Sequence, residues 1–529
     1  MRAARWFLLL VVFCCGMVTM ALEMSASRLI GTYFGSPLTV WAILIGMVML
    51  YLTAGYALGG RLADRRPNER FLYVLVGVAA FAIGLIPAVS RPLLVWAQQG
   101  LSAMAAGFYI GAFVGVLLLL SVPMILLGCV SPFAIRLSMA QVDRAGRTAG
   151  SIYALSTVGS ILGTLLPPFV TLPLVGVSLT FYIFALALLL VAAVGSRRWY
   201  VFVMLVIVLA LAALYVSGVW TGLRQPPTGA VLVDQRESVY NYIQVYRETL
   251  GGSTRINLAL NEGLAVHSIY APAYSESHDP RDLLTYGPWD MFLIVPYFAP
   301  GQSERSFSSF CLIGSAAGTV PKQYHAVYGR QVHMDGVELD PEIAAVGRAY
   351  FAMGEEEAAG TLSVHIQDGR YFITNVPKQY DIIAVDAYRQ PYIPYHLTTR
   401  EFFEAVRAHL KPNGVAAINV GHITGDVRLV EAIAATMQAV FPSVYTIDLP
   451  GYTVRNTIVV ATLSPSCLAD FHENVARLSN PTLLVVRDYV LTQCHPQPWA
   501  GQGEVLTDDR APIEYIVDQM ILNYVEGRP

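Results

Sequence analysis

Three carboxylates, each at the end of a short apolar run, carry the chemistry legible in this chain. Glu338 follows the run 332–337 and opens Glu338-Leu-Asp-Pro341. Asp368 follows Leu362–Ile366 within Gln367-Asp368-Gly369-Arg370, and Asp386 closes Tyr380–Val385. A fourth run, Phe310 to Ile313, passes into Gly314-Ser-Ala-Ala-Gly318 and then into a helix expected over Thr319–Tyr328. A strand that turns through small residues into a helix brings backbone N–H groups against a ligand. An acidic residue at the next strand end, about twenty residues past the glycines, can accept both hydroxyls of a ribose. Residue types and spacing thus predict a nucleoside site in which Gly314 and Gly318 approach the ligand, Glu338 takes the sugar, and Asp368 and Asp386 stand at neighbouring strand ends.

The elements that must position these groups begin near Ser306, where apolar strands alternate with helices, the pattern of a parallel sheet covered on both faces. Just upstream, Tyr240, Tyr242, Gln244-Val-Tyr and the run Ile256 to Leu260, around Gly251-Gly252, predict a small β-hairpin subdomain. Arg224-Gln-Pro-Pro227 reads as a linker before it.

The first half of the chain has another solvent. Of the 529 residues 55 % are hydrophobic and only 13 % charged, and the mean hydropathy is +0.51. Such values fall outside the soluble range. The first lysine is Lys322. Apolar segments of about 20 residues, enough to cross the roughly 30 Å hydrocarbon core, run near 6–30, 38–60, 71–90, 109–135, 148–167, 176–195 and 199–219. The basic N-terminus followed by an apolar run is read as the first span of this bundle and not as a signal peptide. A weaker stretch, 93–104, containing Gln98 and Gln99, reads as interfacial or half-spanning.

The expected architecture is therefore an α-helical transmembrane bundle of about seven spans over 1–222, a β-rich subdomain over 223–300 and an α/β Rossmann-like domain over 301–529. Gly55 with Gly59 and Gly159 with Gly163 have the four-residue spacing that lets helices pack closely in lipid. Glu23 and Arg28, in or at the edge of the first span, either serve a function or pair and cap locally. Gly60-Arg-Leu-Ala-Asp64-Arg-Arg66 partly resembles the cytoplasmic loop motif of major-facilitator transporters, and an arginine anchor explains it equally.

Arginines gather at Arg2 and Arg5, at Arg61, Arg65, Arg66 and Arg70, at Arg136, Arg144 and Arg147, and at Arg197 and Arg198. The positive-inside rule makes all four groups cytoplasmic. With an odd number of spans the domain after residue 224 is external. An eighth crossing within 93–104 would return it to the cytosol.

Net charge is −3 and no lysine tract or arginine stripe interleaved with aromatics occurs, which argues against nucleic acid as a partner. Neither the six cysteines nor the ten histidines have metal-ligand spacing, so no metal is expected. Cys467 and Cys494 are either bonded to each other or two free thiols. His396 is the one histidine near the expected site, with a structural role favoured over proton transfer.

With these residues in place, the segment 237–462 resembles the polyamine aminopropyltransferases (spermidine synthases), and in particular their membrane-fused bacterial relatives. The likeness is carried by Val337-Glu-Leu-Asp-Pro-Glu342, Gln367-Asp368-Gly369-Arg370, Tyr380-Asp-Ile-Ile-Ala-Val-Asp386, Ile393-Pro-Tyr-His-Leu-Thr-Thr-Arg-Glu-Phe-Phe403, Pro412-Asn-Gly414 and Asn419. It implies an S-adenosylmethionine-dependent methyltransferase fold and a multi-pass protein of the cell (inner) membrane, in contact with lipid. The implied reaction moves an aminopropyl group from decarboxylated S-adenosylmethionine to a small-molecule amine acceptor. By the same resemblance Gly314, Gly318 and Gly369 line the cosubstrate, Glu338 holds the ribose, Asp368 holds the adenine amino group, and Asp386 is the catalytic aspartate.

The chain also departs from the family. Ala317 replaces the aspartate that anchors the aminopropyl end, and Arg389 stands where soluble members have a second acid. Tyr286-Gly-Pro288 replaces Tyr-His-Glu, and Val266 aligns with the glutamine that faces the amine. Three readings follow: aminopropyl transfer to an unusual acceptor, methyl transfer from S-adenosylmethionine on the same fold, or a non-catalytic nucleoside-binding module fused to a transporter-like bundle. Oligomeric state is not fixed by the sequence.

Overall fold

The computed structural model describes residues 2–34, 38–100, 107–139, 145–217, 226–250, 253–261, 266–388, 392–451 and 453–525. The chain forms two compact units, Met1–Gln225 with Glu237–Asn241, and Pro226–Arg236 with Tyr242–Pro529.

The first unit contains α1 (Arg2–Phe34), α2 (Leu38–Arg65), α3 (Glu69–Gly100), α4 (Gly107–Gly128), α5 (Val130–Ser138), α6 (Ala145–Leu166), α7 (Leu172–Ser196) and α8 (Trp199–Val216). Among the described residues six helical stretches are long and apolar enough to cross a membrane, and one of them, Ala145–Ser196, has 52 residues. As one straight helix it would be about 78 Å long, more than twice the roughly 30 Å core. It is broken instead. A π-helical turn occupies Pro167–Thr171, and Gly176 takes a positive φ of 77° inside α7. Pro167, Pro168 and Pro173 lack the N–H that would continue the ladder, so α6 and α7 are separate helices, each long enough to cross, and counted apart they make seven such stretches among the described residues.

Of the stretch 93–104, residues 93–100 continue α3, which runs on through Pro87 and Pro92 to Gly100, so they form no separate helix. Positions 101–104 lie outside the described residues.

The paired glycines do what their spacing suggests. A Cβ on Gly159 or Gly163 would collide with the carbonyls of Phe13 and Met17 on α1, and one on Gly55 or Gly59 with the backbone of Ile125 and Cys129. These helices meet backbone to backbone. Asp64 pairs with Arg136 at 3.2 Å, both well exposed.

The second unit holds two sheets. The smaller has the order β1 (Val231–Glu237), β2 (Tyr242–Leu250), β3 (Ser253–Leu260), β4 (Val266–Tyr270). The expected hairpin is its β2–β3 pair, joined in register from Leu250 opposite Ser253. The Gly251-Gly252 turn lies outside the described residues.

The larger sheet contains β5 (Ser309–Ile313), β6 (His333–Glu338), β7 (Leu362–Ile366), β8 (Tyr380–Val385), β9 (Leu410–Ile423), β10 (Ser443–Asp448), β11 (Val454–Thr462) and β12 (Gln497–Pro498). Their order is β12-β10-β11-β9-β8-β5-β6-β7. From β7 to β9 neighbouring strands are parallel, and β11, β10 and β12 continue antiparallel. This is the Rossmann-like methyltransferase architecture.

Both faces are covered, and the side-chain period of two assigns each residue to a face. Phe310, Leu312, Ile382 and Ala384 enter one core. Cys311, Ile313, Ile383 and Val385 enter the other. Connections leave β5 toward β6 on one side and arrive at β8 on the other, so the carboxyl end of β5 is the point where strand order reverses. Ligands bind such sheets there.

Candidate functional site

The glycine turn after β5 is shaped by backbone geometry. Gly314 and Gly318 have φ of 88° and 99°, a region that side-chain-bearing residues avoid. A Cβ on Gly314 would also lie 2.5 Å from the carbonyl oxygen of Asp386. Ala316 is held at a φ of 46°, with its N–H donating to Glu338 Oε2 at 3.0 Å.

Glu338 ends β6, is buried, and also accepts the N–H of Asp340 on Oε1 at 3.0 Å. The acceptor capacity these backbone donors leave is what ribose hydroxyls would use. Burial pushes its carboxyl up to about 7, against the pull of those backbone donors.

Asp368 follows β7 and caps the helix Gly369–Asn375, accepting the N–H of Tyr371 on Oδ1 at 2.9 Å. Its Oδ2 lies 3.0 Å from His396 Nε2, and the side chain is 40 % exposed. His396 thus contacts the same carboxylate to which the resemblance gives the adenine amino group. Gly369 is glycine because the Ile313 side chain packs over it, and a Cβ would collide there. Leu339, Ile366 and Tyr371 are exposed around these strand ends and supply apolar surface for a flat base.

Asp386 follows β8, with its N–H donating to Ile313 O at 2.8 Å. Its carboxylate is gripped from both sides. Trp289 Nε1 donates to Oδ2 at 2.9 Å, and Asn419 Nδ2 donates to Oδ1 at 2.8 Å. Asn456 in turn donates to Asn419 Oδ1 at 2.9 Å and fixes that amide. Burial pushes the Asp386 carboxyl up to about 7, while the Asn419 and Trp289 donors stabilise the anion. A partly buried, oriented carboxylate titrating near neutrality is suited to taking a proton from an amine.

A family model described as the spermine/spermidine synthase domain matches residues 323–469. Residues 323–469 of this chain are similar to that domain.

A probable polyamine aminopropyl transferase of Bifidobacterium longum is 28 % identical over 313 residues, covering 55 % of this chain and 64 % of that protein. The chain therefore spans under two thirds of that relative's length. A polyamine aminopropyltransferase of Vibrio vulnificus is 27 % identical over 243 residues, covering 45 % of this chain and 78 % of that one. Among solved structures, a probable spermidine synthase from Corynebacterium glutamicum aligns with a TM-score of 0.39 and 20 % identity, over 52 % of this chain and 95 % of that one.

The matched segment takes in Glu338, Asp368 and Asp386 and leaves out the glycine turn and Trp289. Outside it, the positions at which the sequence departs from the spermidine synthase pattern have geometric reasons. Ala317, where the family carries an aspartate, is fully buried in a cluster with Ile243, Val245, Leu258 and Ile343. Its N–H donates to Ser268 Oγ at 3.0 Å, and Thr319 Oγ1 accepts the N–H of Ile269 at 2.9 Å. The small sheet is thus tied to the glycine turn through β4. Val266 is half-buried at the start of that strand, and Arg389 lies outside the described residues.

Trp289, Asp290, Asn456 and Ser268 are missing from the sequence reading. Asp290 is buried and accepts from Thr285 N and Oγ1, Tyr286 N and Gln323 Nε2, and it organises the Tyr286-Gly-Pro288 turn. Only the adjacency of Trp289 and Asp290 to that turn could have signalled them. Cys467 and Cys494 are both free, the first exposed and the second buried, so the alternative of two thiols holds.

Proposed function

We propose that this unit transfers an aminopropyl group from decarboxylated S-adenosylmethionine to an amine acceptor, on a chain anchored in a cell membrane by its seven-span bundle. The observation that carries this reading is Asp386, a carboxylate titrating at about 7, at the carboxyl end of a central parallel strand and against the Gly314 turn.

Glu338 accepts the ribose hydroxyls, Asp368 accepts from the adenine amino group, and Gly314 and Gly318 let the backbone approach the sulfur-bearing chain. The acceptor amine gives its proton to Asp386 as its lone pair attacks the carbon beside the sulfonium. The C–N bond forms, the C–S bond breaks, and its electron pair leaves on sulfur as methylthioadenosine. Holding the two reactants in line supplies much of the rate.

A ligand that binds only the folded state raises its thermal stability, so thermal-shift titration discriminates among the readings. A larger shift with decarboxylated S-adenosylmethionine than with S-adenosylmethionine supports aminopropyl transfer. The reverse order makes the unit a methyltransferase, and no shift with either, or with methylthioadenosine, removes both.

A second reading, a non-catalytic nucleoside-binding module, is favoured by one observation. Seven crossings, counting α6 and α7 separately, with all four arginine groups on one side by the positive-inside rule, would put residue 224 onward on the opposite side, away from cytosolic cosubstrate. A reporter fused after residue 529 tests that observation: activity of a cytosolic reporter removes the support for this reading, and activity of an exported one strengthens it.

A further inference from the structure

We propose that Trp289 is the residue that sets the acceptor, closing the Asp386 pocket to a second cationic group and selecting an amine with one ammonium and an apolar body. This rests on the aminopropyl-transfer reading above.

A diamine that gives one nitrogen to the reaction must bring its other ammonium out of water, and a half-buried pocket tolerates that charge only beside a carboxylate. Among the described residues, the carboxylates beside Trp289 are already engaged. Asp386 accepts from Trp289 Nε1 and Asn419 Nδ2, and in the proposed reaction its remaining acceptor capacity goes to the attacking amine and not to a second ammonium. Asp290, next to Trp289 in the chain, is 2 % exposed, with its oxygens filled by Thr285, Tyr286 and Gln323. Ala317 brings no charge and is buried under the small sheet.

What Trp289 offers is ring surface. The indole has one N–H, spent on Asp386, and its remaining faces are apolar. Nearby, Tyr286 is 46 % exposed and packs edge-on against Tyr489 with centroids 6.2 Å apart. Aromatic faces accommodate a single ammonium and an aryl or alkyl body. In the step itself the amine lone pair forms the C–N bond, the C–S pair goes to sulfur, and the released proton passes to Asp386 and on to solvent.

The test follows methylthioadenosine release by the purified full chain, at saturating decarboxylated S-adenosylmethionine, with 2-phenylethylamine, hexylamine and 1,4-diaminobutane as acceptors. The wild type is expected to show kcat/KM at least tenfold higher for either monoamine than for the diamine. Trp289→His is expected to shift that ratio toward the diamine by tenfold or more. Trp289→Phe keeps the ring and removes the N–H. It should preserve the ratio while moving the acid limb of the pH profile upward, because the Asp386 anion loses a donor, and a merely structural tryptophan would leave that limb in place. Diamine preference in the wild type, or an unchanged ratio in Trp289→His, overturns this proposal and leaves aminopropyl transfer standing. If methylthioadenosine stabilises the protein and no amine is consumed, both fall. If Trp289→His does not fold, the wild-type ratio and the Trp289→Phe profile decide alone.

Discussion

The proposed nucleoside half and the proposed acceptor half of this site are built in opposite ways. On the nucleoside side every group lies within a few residues of a strand end: Gly314 and Gly318 after β5, Glu338 closing β6, Asp368 after β7. Glu338 is oriented by backbone N–H groups from its own and the adjoining turn. The acceptor side gathers Trp289, Asp386, Asn419 and Asn456 from four distant stretches into one hydrogen-bonded chain. Local construction makes the first set of groups depend on turn geometry alone. Non-local construction makes the second depend on single side chains such as the Trp289 indole, which is why the proposed acceptor choice is tested there.

The comparison breaks most visibly at Asp386. Asp386→Asn keeps the shape and removes the base, so kcat should fall about 10²- to 10⁴-fold while methylthioadenosine still stabilises the protein to within a degree or so of wild type. Loss of nucleoside binding in that variant would mean the two halves are not separable. Glu338→Gln should do the converse, weakening methylthioadenosine binding on the order of 10- to 100-fold, the range for losing hydrogen bonds to a charged group. Equilibrium titration measures it, and an unchanged Kd would remove Glu338 from the ribose.

Smaller effects sharpen the picture. In Asn456→Ala the Asn419 amide loses the donor that orients it, and kcat should drop about fivefold with nucleoside affinity unchanged, in line with about 1 kcal/mol for one hydrogen bond. A drop in affinity instead would place Asn456 on the nucleoside side.

The acidic limb of kcat/KM should fall at about pH 7, where Asp386 protonates. Stability should move the other way. Glu338 and Asp386 both titrate at about 7 when folded, against about 4 when unfolded. Between these values the native state binds more protons, so stability is gained on acidification toward pH 5 and lost as pH rises through 7. The melting temperature of the ligand-free protein should therefore rise modestly from pH 8 to pH 5.5, and Glu338→Gln with Asp386→Asn should flatten that slope. A slope unchanged in the double variant would show that other groups set it.

Much of the fold was readable because it rests on short-range rules. The runs Leu362–Ile366 and Tyr380–Val385 and the helix Thr319–Tyr328 lie where composition places them. Gly159 and Gly163 pack as four-residue spacing in lipid requires. The weaker places were those where neighbours override local pattern. The stretch 93–104 reads as interfacial or half-spanning, and its first part, through Gly100, continues the helix α3, a continuity its composition does not announce. The hairpin seen around Tyr242 and Ile256 is half of a four-stranded sheet, because β1 and β4 are too short and mixed to announce themselves.

The sequence by itself determined the two solvents of the chain, the alternation of strands and helices, and the carboxylates at three strand ends. Periodicity, apolar length and turn chemistry are properties of contiguous residues. Only the tertiary structure decided that Trp289, about a hundred positions before Asp386 and outside any motif, would hold the central carboxylate, and that Ala317 would be sealed beneath a second sheet. Those outcomes depend on which surfaces the parallel sheet brings together, and hydrogen bonds between residues far apart in the chain leave no local pattern to read.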